Sequence, residues 1–145
     1  MQKTFLLISL LCCLWSAQAA TPQNAAPEAL AQHPLTGNWF WTLPGKQCTE
    51  NLQYRATGTN TSASGTANTQ SRYEVSPLPS LLGFYRIAET VTTSDGQPDC
   101  AGDVHEFTNE PVVRFIQFSP ERNLLIVCRT ESLKECFGPL KRTVL

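Results

Sequence analysis

An all-β fold, a small antiparallel barrel or sandwich of about eight short strands, is what this sequence predicts. Three observations predict it. Apolar and polar residues alternate along short stretches. In CTENLQYRATGT, Leu52, Tyr54 and Ala56 alternate with Asn51, Gln53 and Arg55, and such a period of two puts one face in a core and the other in water. Turn formers punctuate the chain at Pro44-Gly45, Thr57-Gly58, Pro77-Leu78-Pro79 and Ser94-Asp95-Gly96. No stretch sustains the apolar period of a helix.

The chain begins MQKTFLLISLLCCLWSAQAA. A positive Lys3, an apolar run from Phe5 to Trp15 and a small-x-small site at Ala17-Gln18-Ala19 have the order of a secretory leader. Residues 1–19 are therefore read as a signal peptide, with cleavage near Ala19-Ala20 and a periplasmic or secreted mature chain. The apolar run is too short to span a bilayer and no later segment approaches the needed length, so no transmembrane anchor is expected in the mature chain. Cys12 and Cys13 fall within the leader and are read as removed with it, not as a lipid anchor.

Residues 20–34, ATPQNAAPEALAQHP, are rich in Ala, Pro and Gln and show no repeating apolar face. They read as a flexible lead-in, with a short helical turn at 27–32. The barrel domain is expected over 35–145. In LTGNWFWTL, Trp39, Trp41 and Leu43 share a face of the first strand. The stretch CTENLQYR forms the second. Residues 59–75, TNTSASGTANTQSRYEV, alternate small polar and β-branched residues. They read as a strand, a turn near 65–68 and a second strand. Their small side chains imply a lightly packed sheet end or the close approach of another backbone. GFYRIAETVTTSDG follows, with Tyr85, Ile87 and Val91 on one face, Glu89 interrupting it, and a hairpin-type turn at Ser94-Asp95-Gly96. GQPDCAGD reads as loop and VHEFTNEP as irregular. PVVRFIQFSP and NLLIVCRT form a hairpin turned by Pro120-Glu121-Arg122-Asn123, and CFGPLKRTV supplies the last strand.

Four cysteines remain after the leader: Cys48, Cys100, Cys128 and Cys136. An even number in an exported chain reads as two disulfides, and three pairings are open in principle. Cys128 and Cys136 are close enough to staple one hairpin, which leaves Cys48 with Cys100. There is no C-x-x-C, and the spacing fits no compact zinc module. No metal and no cofactor are expected.

The chain carries 11 Lys and Arg against 12 Asp and Glu, a formal net charge of −1. Its basic residues are scattered, whereas phosphate binding needs a concentrated positive face, so no nucleic acid is expected as a partner. Nucleophilic chemistry also lacks its parts. There is no G-x-S-x-G, no free thiol after pairing and no phosphate loop. His33 sits in the lead-in beside Pro34. His105 lies near Asp99, Asp103 and Glu106, which suggests a carboxylate–histidine pair or a metal site on one side and a solvated, disulfide-tied loop on the other. One imidazole favours the loop. The expectation is that the protein is not an enzyme and has no catalytic residues.

At Leu35 to Trp41, LTGNWFW resembles the opening of a lipocalin-like barrel, where Gly-x-Trp begins the first strand; Gly37 and Trp39 match it. CTENLQYRATGT is similar to the strand and Gly-Thr turn of small lipocalin-like domains. The resemblance implies an up-and-down barrel with a ligand in its mouth. A small apolar ligand would then face Trp39, Trp41, Tyr54 and Tyr85. A second resemblance is to the periplasmic inhibitors of c-type lysozyme, small disulfide-stapled barrels that present a Ser- and Gly-containing loop. Ser62-Ala63-Ser64-Gly65 is similar to that loop, although Arg72 and Tyr73 lie further from the glycine than in that family. It implies a protein partner met by Ser62, Ser64, Gly65, Arg72 and Tyr73.

These readings converge on an exported, non-enzymatic binding protein of the bacterial cell envelope, a monomer or weak dimer. The primary expectation is a lipocalin-like carrier of a small apolar ligand. The alternatives are a protein-binding module or inhibitor presenting the Gly65 loop, and a purely structural envelope protein.

Overall fold

A computed structural model describes residues 25–107 and 109–143. The expected leader, with Cys12 and Cys13, lies outside the described residues. One helix, α1 (Ala25–Gln32), precedes eight strands: β1 (Gly37–Thr42), β2 (Thr49–Arg55), β3 (Thr59–Ser64), β4 (Ala67–Val75), β5 (Tyr85–Ser94), β6 (Val112–Phe118), β7 (Leu124–Cys128) and β8 (Cys136–Arg142). Each strand pairs antiparallel with the next. β8 returns to β1, with Trp39 opposite Arg142 and Phe40 opposite Lys141, so the sheet closes into a barrel. Closure leaves no strand edge open to other chains.

Local sequence explains the tight turns. The stretch 62–73 is a hairpin whose strands meet at Ser64 opposite Ala67, turned by Gly65-Thr66. Gly65 has φ of 60°, and a first central residue with positive φ suits a two-residue hairpin. A Cβ on Gly65 would lie 3.4 Å from Cys48 Sγ and 3.5 Å from Cys100 N. The small side chains of this stretch therefore do admit another backbone, that of the disulfide loop. Gly58, φ 76°, closes the β2–β3 loop, where its N–H donates to Arg55 O at 3.0 Å.

The β5–β6 connection differs from the expected tight turn at Ser94-Asp95-Gly96. Asp95 instead accepts from the Asn68 backbone N–H at 2.9 Å and its side-chain amide at 3.0 Å, tying the end of β5 to β4. The chain then runs through residues 95–111 before β6. The Cys48–Cys100 disulfide pins this long loop to the β1–β2 turn, and Cys128–Cys136 staples β7 to β8 across directly opposed positions. Both expected pairings are present, and both lie at the same end of the barrel.

The other end is sealed. Leu35, Trp39, Tyr54, Tyr73, Ile87, Ile116, Leu125 and Leu140 form the core, with Leu30 of α1 packed against it. Residues 25–34, read from sequence as part of a flexible lead-in with a short helical turn at 27–32, carry the helix α1, which covers that turn, and a buried His33. The physical reason is the barrel's need to cover the rings at its base, a requirement no local pattern announces. His33 stands edge-on to Tyr85 at 4.8 Å, and its Nδ1 accepts the Leu35 N–H at 3.1 Å. Burial pushes its pKa below the ordinary imidazole range. Arg142 locks the base. Its guanidinium lies 4.2 Å from the Trp39 ring centroid and donates to Thr36 O at 2.9 Å, Arg122 O at 3.0 Å and Pro34 O. Glycine at position 37 makes room, since a Cβ there would meet Arg142 Nη1 at 2.5 Å.

Candidate functional site

Strand alternation points one set of side chains into the barrel. In the upper half these do not fill it. Between the core and the disulfide-stapled end lies a cavity of about 460 Å³, within the size range of small-molecule sites. Its apolar wall comes from Trp41, Leu52, Val91, Val112, Val127 and Phe137. The Trp41 and Phe137 rings are 5.4 Å apart between centroids.

The lining also has a polar part. Tyr54 on β2, Asn60 on β3 and Glu89 on β5 converge at its depth. Tyr54 Oη–H donates to Glu89 Oε1 at 3.1 Å, and Asn60 Nδ2–H donates to the same oxygen at 2.9 Å. Asn60 Oδ1 is buried without a hydrogen-bond partner among the described residues. Burial raises the Glu89 pKa above the usual carboxylate range, and the bonds from Asn60 and Tyr54 and the Arg114 charge offset this only in part. Tyr54 is pushed well above the usual phenol range by burial and by the Glu89 charge.

Nearer the mouth, Ser64 Oγ–H donates to Glu50 Oε1 at 2.9 Å and Oγ accepts the Cys100 N–H at 3.0 Å. Burial raises Glu50, and the Asp99 charge adds to the effect. Asp99 spends its carboxylate on its own loop. Oδ1 accepts the N–H groups of Ala101, Gly102 and Asp103 at 2.8–2.9 Å, and Oδ2 meets His105 Nε2 at 2.8 Å. Burial alone would raise Asp99, but the His105 and backbone bonds outweigh it and hold the carboxyl low. The Ser64 hydroxyl is engaged in both directions, towards Glu50 and from the Cys100 N–H. Among the described residues no group of three or more His, Cys, Asp or Glu is placed to hold a metal ion, and no helix is long and apolar enough to cross a membrane.

The four residues expected to line a ligand site divide. Trp41 and Tyr54 line the cavity. Trp39 is only 1% exposed in the core, its Nε1–H donating to Leu35 O at 2.8 Å, and Tyr85 packs at the base against His33 and Phe118. Trp39 and Tyr85 share the inward face but lie below the empty space.

The residues expected to form a partner loop do not share a surface. Ser62 and Ser64 point into the barrel, and Tyr73 is core, its hydroxyl donating to Arg55 O at 2.8 Å. Arg72 alternates outward and is exposed. The Gly65 turn rests against the Cys48–Cys100 disulfide instead of projecting. Sequence reasoning missed Glu89, Asn60 and Arg114 as inward polar groups. For Glu89 the signal was its place in the apolar alternation Tyr85, Ile87, Val91.

A larger and shallower depression, about 740 Å³, crosses the outer faces of β2 to β4 at Asn51, Gln53, Thr61, Asn68 and Gln70. It is open to solvent and holds no converging charged groups besides Asp95 at its edge. The interior cavity is the one that joins apolar walls to buried polar groups. No protein-family model, curated protein or solved structure matches this chain.

Proposed function

We propose that this protein is an exported, non-enzymatic, lipocalin-like carrier of the cell envelope, and that it binds a small, mainly apolar molecule inside the barrel mouth. The observation that carries the reading is the cavity itself. It is sealed below by core and helix, walled by Trp41, Leu52, Val91, Val127 and Phe137, and opens at the end stapled by both disulfides. A binding site with a rigid rim loses less entropy on closing around a ligand. The two disulfides accord with an oxidising compartment, and the Gly37-x-Trp39 opening of β1 accords with the lipocalin-like resemblance.

Native mass spectrometry of the protein purified gently from its own host tests the proposal. The expected result is a bound small mass that is lost on denaturation and lost from a Trp41→Ala, Leu52→Ala variant. A bare chain, or a co-purifying protein with no small mass, counts against a carrier. The second of these favours a protein-binding role.

A further inference from the structure

The cavity's polar wall is unbalanced in a way that specifies a ligand. Glu89 and Glu50 both face the interior with carboxylates only partly satisfied. Among the described residues, the bonds from Tyr54 and Asn60 fall on the same Glu89 oxygen, Oε1, and Ser64 engages one oxygen of Glu50. Asn60 Oδ1, in a side chain only 4% exposed, is a further acceptor with no partner among the described residues. Buried acceptors left unpaired are uncommon in folded proteins.

The cationic groups of the lining do not balance these. His105 is held by Asp99. Arg114 turns Nη1–H to its neighbour's carbonyl, Val113 O, at 3.0 Å. No ion pair joins Arg114 and Glu89 among the described residues. A buried carboxylate without a direct counter-charge is costly unless it takes a proton or meets a cation.

We propose, building on the carrier reading above, that the ligand is an amphipathic amine whose protonated nitrogen sits against Glu89 and Asn60 at the cavity floor, with its apolar body between Trp41, Leu52, Val127 and Phe137. The dimensions agree. Tyr54 at the floor and Glu50 at the mouth are inward residues of one strand, four positions apart, which is a depth of about 13 Å. An eight-carbon chain fits that depth. An anion of the same length would enter between Glu50 and Glu89 and meet two carboxylates before Arg114. A neutral head would satisfy the acceptors but leave the floor charge unmatched.

Isothermal titration calorimetry of the full mature chain with octylamine, octan-1-ol and octanoate tests this, since the three share one tail and differ in the head. Octylamine is expected to bind at least about tenfold tighter than octan-1-ol, with octanoate weakest. Glu89→Gln, which keeps an acceptor for Tyr54 and Asn60, is expected to reduce octylamine to the level of octan-1-ol and leave octan-1-ol unchanged. The wild-type series decides the matter even if that variant folds poorly. Equal affinities for amine and alcohol overturn the amine assignment and leave the carrier reading standing. Tightest binding of octanoate, lost in Arg114→Gln, overturns it in favour of an anion site. Binding of none of the three removes the carrier reading and this inference with it.

Discussion

Arg142 is the side chain whose loss should cost the barrel most per atom removed. Its guanidinium donates to three backbone carbonyls, those of Pro34, Thr36 and Arg122, and covers the Trp39 ring. It thus joins the N-terminal segment, the β6–β7 turn and the last strand. Hydrogen bonds from a charged donor contribute about 1.5–3 kcal/mol each, and a cation over an indole about 0.5–2 kcal/mol. The group is half-buried and the freed carbonyls regain some water, so the losses do not add in full. Arg142→Met is expected to destabilise the fold by about 3 kcal/mol. In urea unfolding that is a midpoint lowered by about 1–3 M at unchanged slope. Arg142→Lys keeps the charge but not the planar fork, and should cost about half as much. The cavity lies at the other end, so ligand affinity below the melting range should be unaffected. An Arg142→Met variant within about 0.5 kcal/mol of wild type would show that Arg142 does not lock the base, because that is the range of an ordinary surface change.

Three further outcomes follow from the same geometry. Gly65→Val forces a β-branched residue to φ of 60° beside the Cys48–Cys100 bridge, and should cost about 1–3 kcal/mol in urea unfolding; a neutral result would show that the turn is free to move. Burial raises the Glu89 pKa in the folded state, so the stability its neutral form contributes is present below the unfolded pKa, about 4.3, and is lost as pH rises through the folded value. Glu89→Gln should therefore gain on wild type as pH rises above about 4, read as a widening gap in urea midpoints; a constant gap contradicts it. The Cys48–Cys100 bridge spans a sequence separation of 52 and Cys128–Cys136 one of 8, so paired Cys→Ala variants should cost about 4 and about 2.5 kcal/mol respectively in the chain-entropy model. The reverse order in thermal melts would show that native-state contacts at the rim, and not chain entropy, dominate.

Much of this architecture is legible in the sequence because strand signals are local. The alternation around Leu52 and Tyr54 located β2, and the small residues of 59–75 located β3, β4 and their turn. Hairpin spacing paired Cys128 with Cys136, and the remaining pair followed. What was not legible depends on closure. The helical turn expected at 27–32 lies within α1, but the packing of Leu30 against the core and the burial of His33 depend on the barrel, and their Ala- and Pro-rich sequence carries no period that announces it. The long β5–β6 connection was legible as the loop GQPDCAGD and the irregular VHEFTNEP, but the bonds from Asn68 to Asp95 that tie its start to β4 were not. Arg142 had no signal at all, since two of its three carbonyl partners, Thr36 and Pro34, lie more than a hundred residues earlier in sequence. At the site, period two correctly set Trp39, Trp41 and Tyr54 inward but could not say how far down each one sits. It also tempts a reader to place polar residues in water. Asn60, Ser62, Ser64 and Glu89 face inward because the upper barrel is a cavity and not a core.

The proposed binding site is that cavity, and a two-dimensional NMR titration of the isotope-labelled mature chain with octylamine locates it. Shift changes are expected to concentrate on the cavity lining, at Trp41, Leu52, Tyr54, Asn60, Glu89 and Val127. Changes confined to the outer face at Asn51, Gln53, Asn68 and Gln70, or to the exposed loops alone, would contradict it.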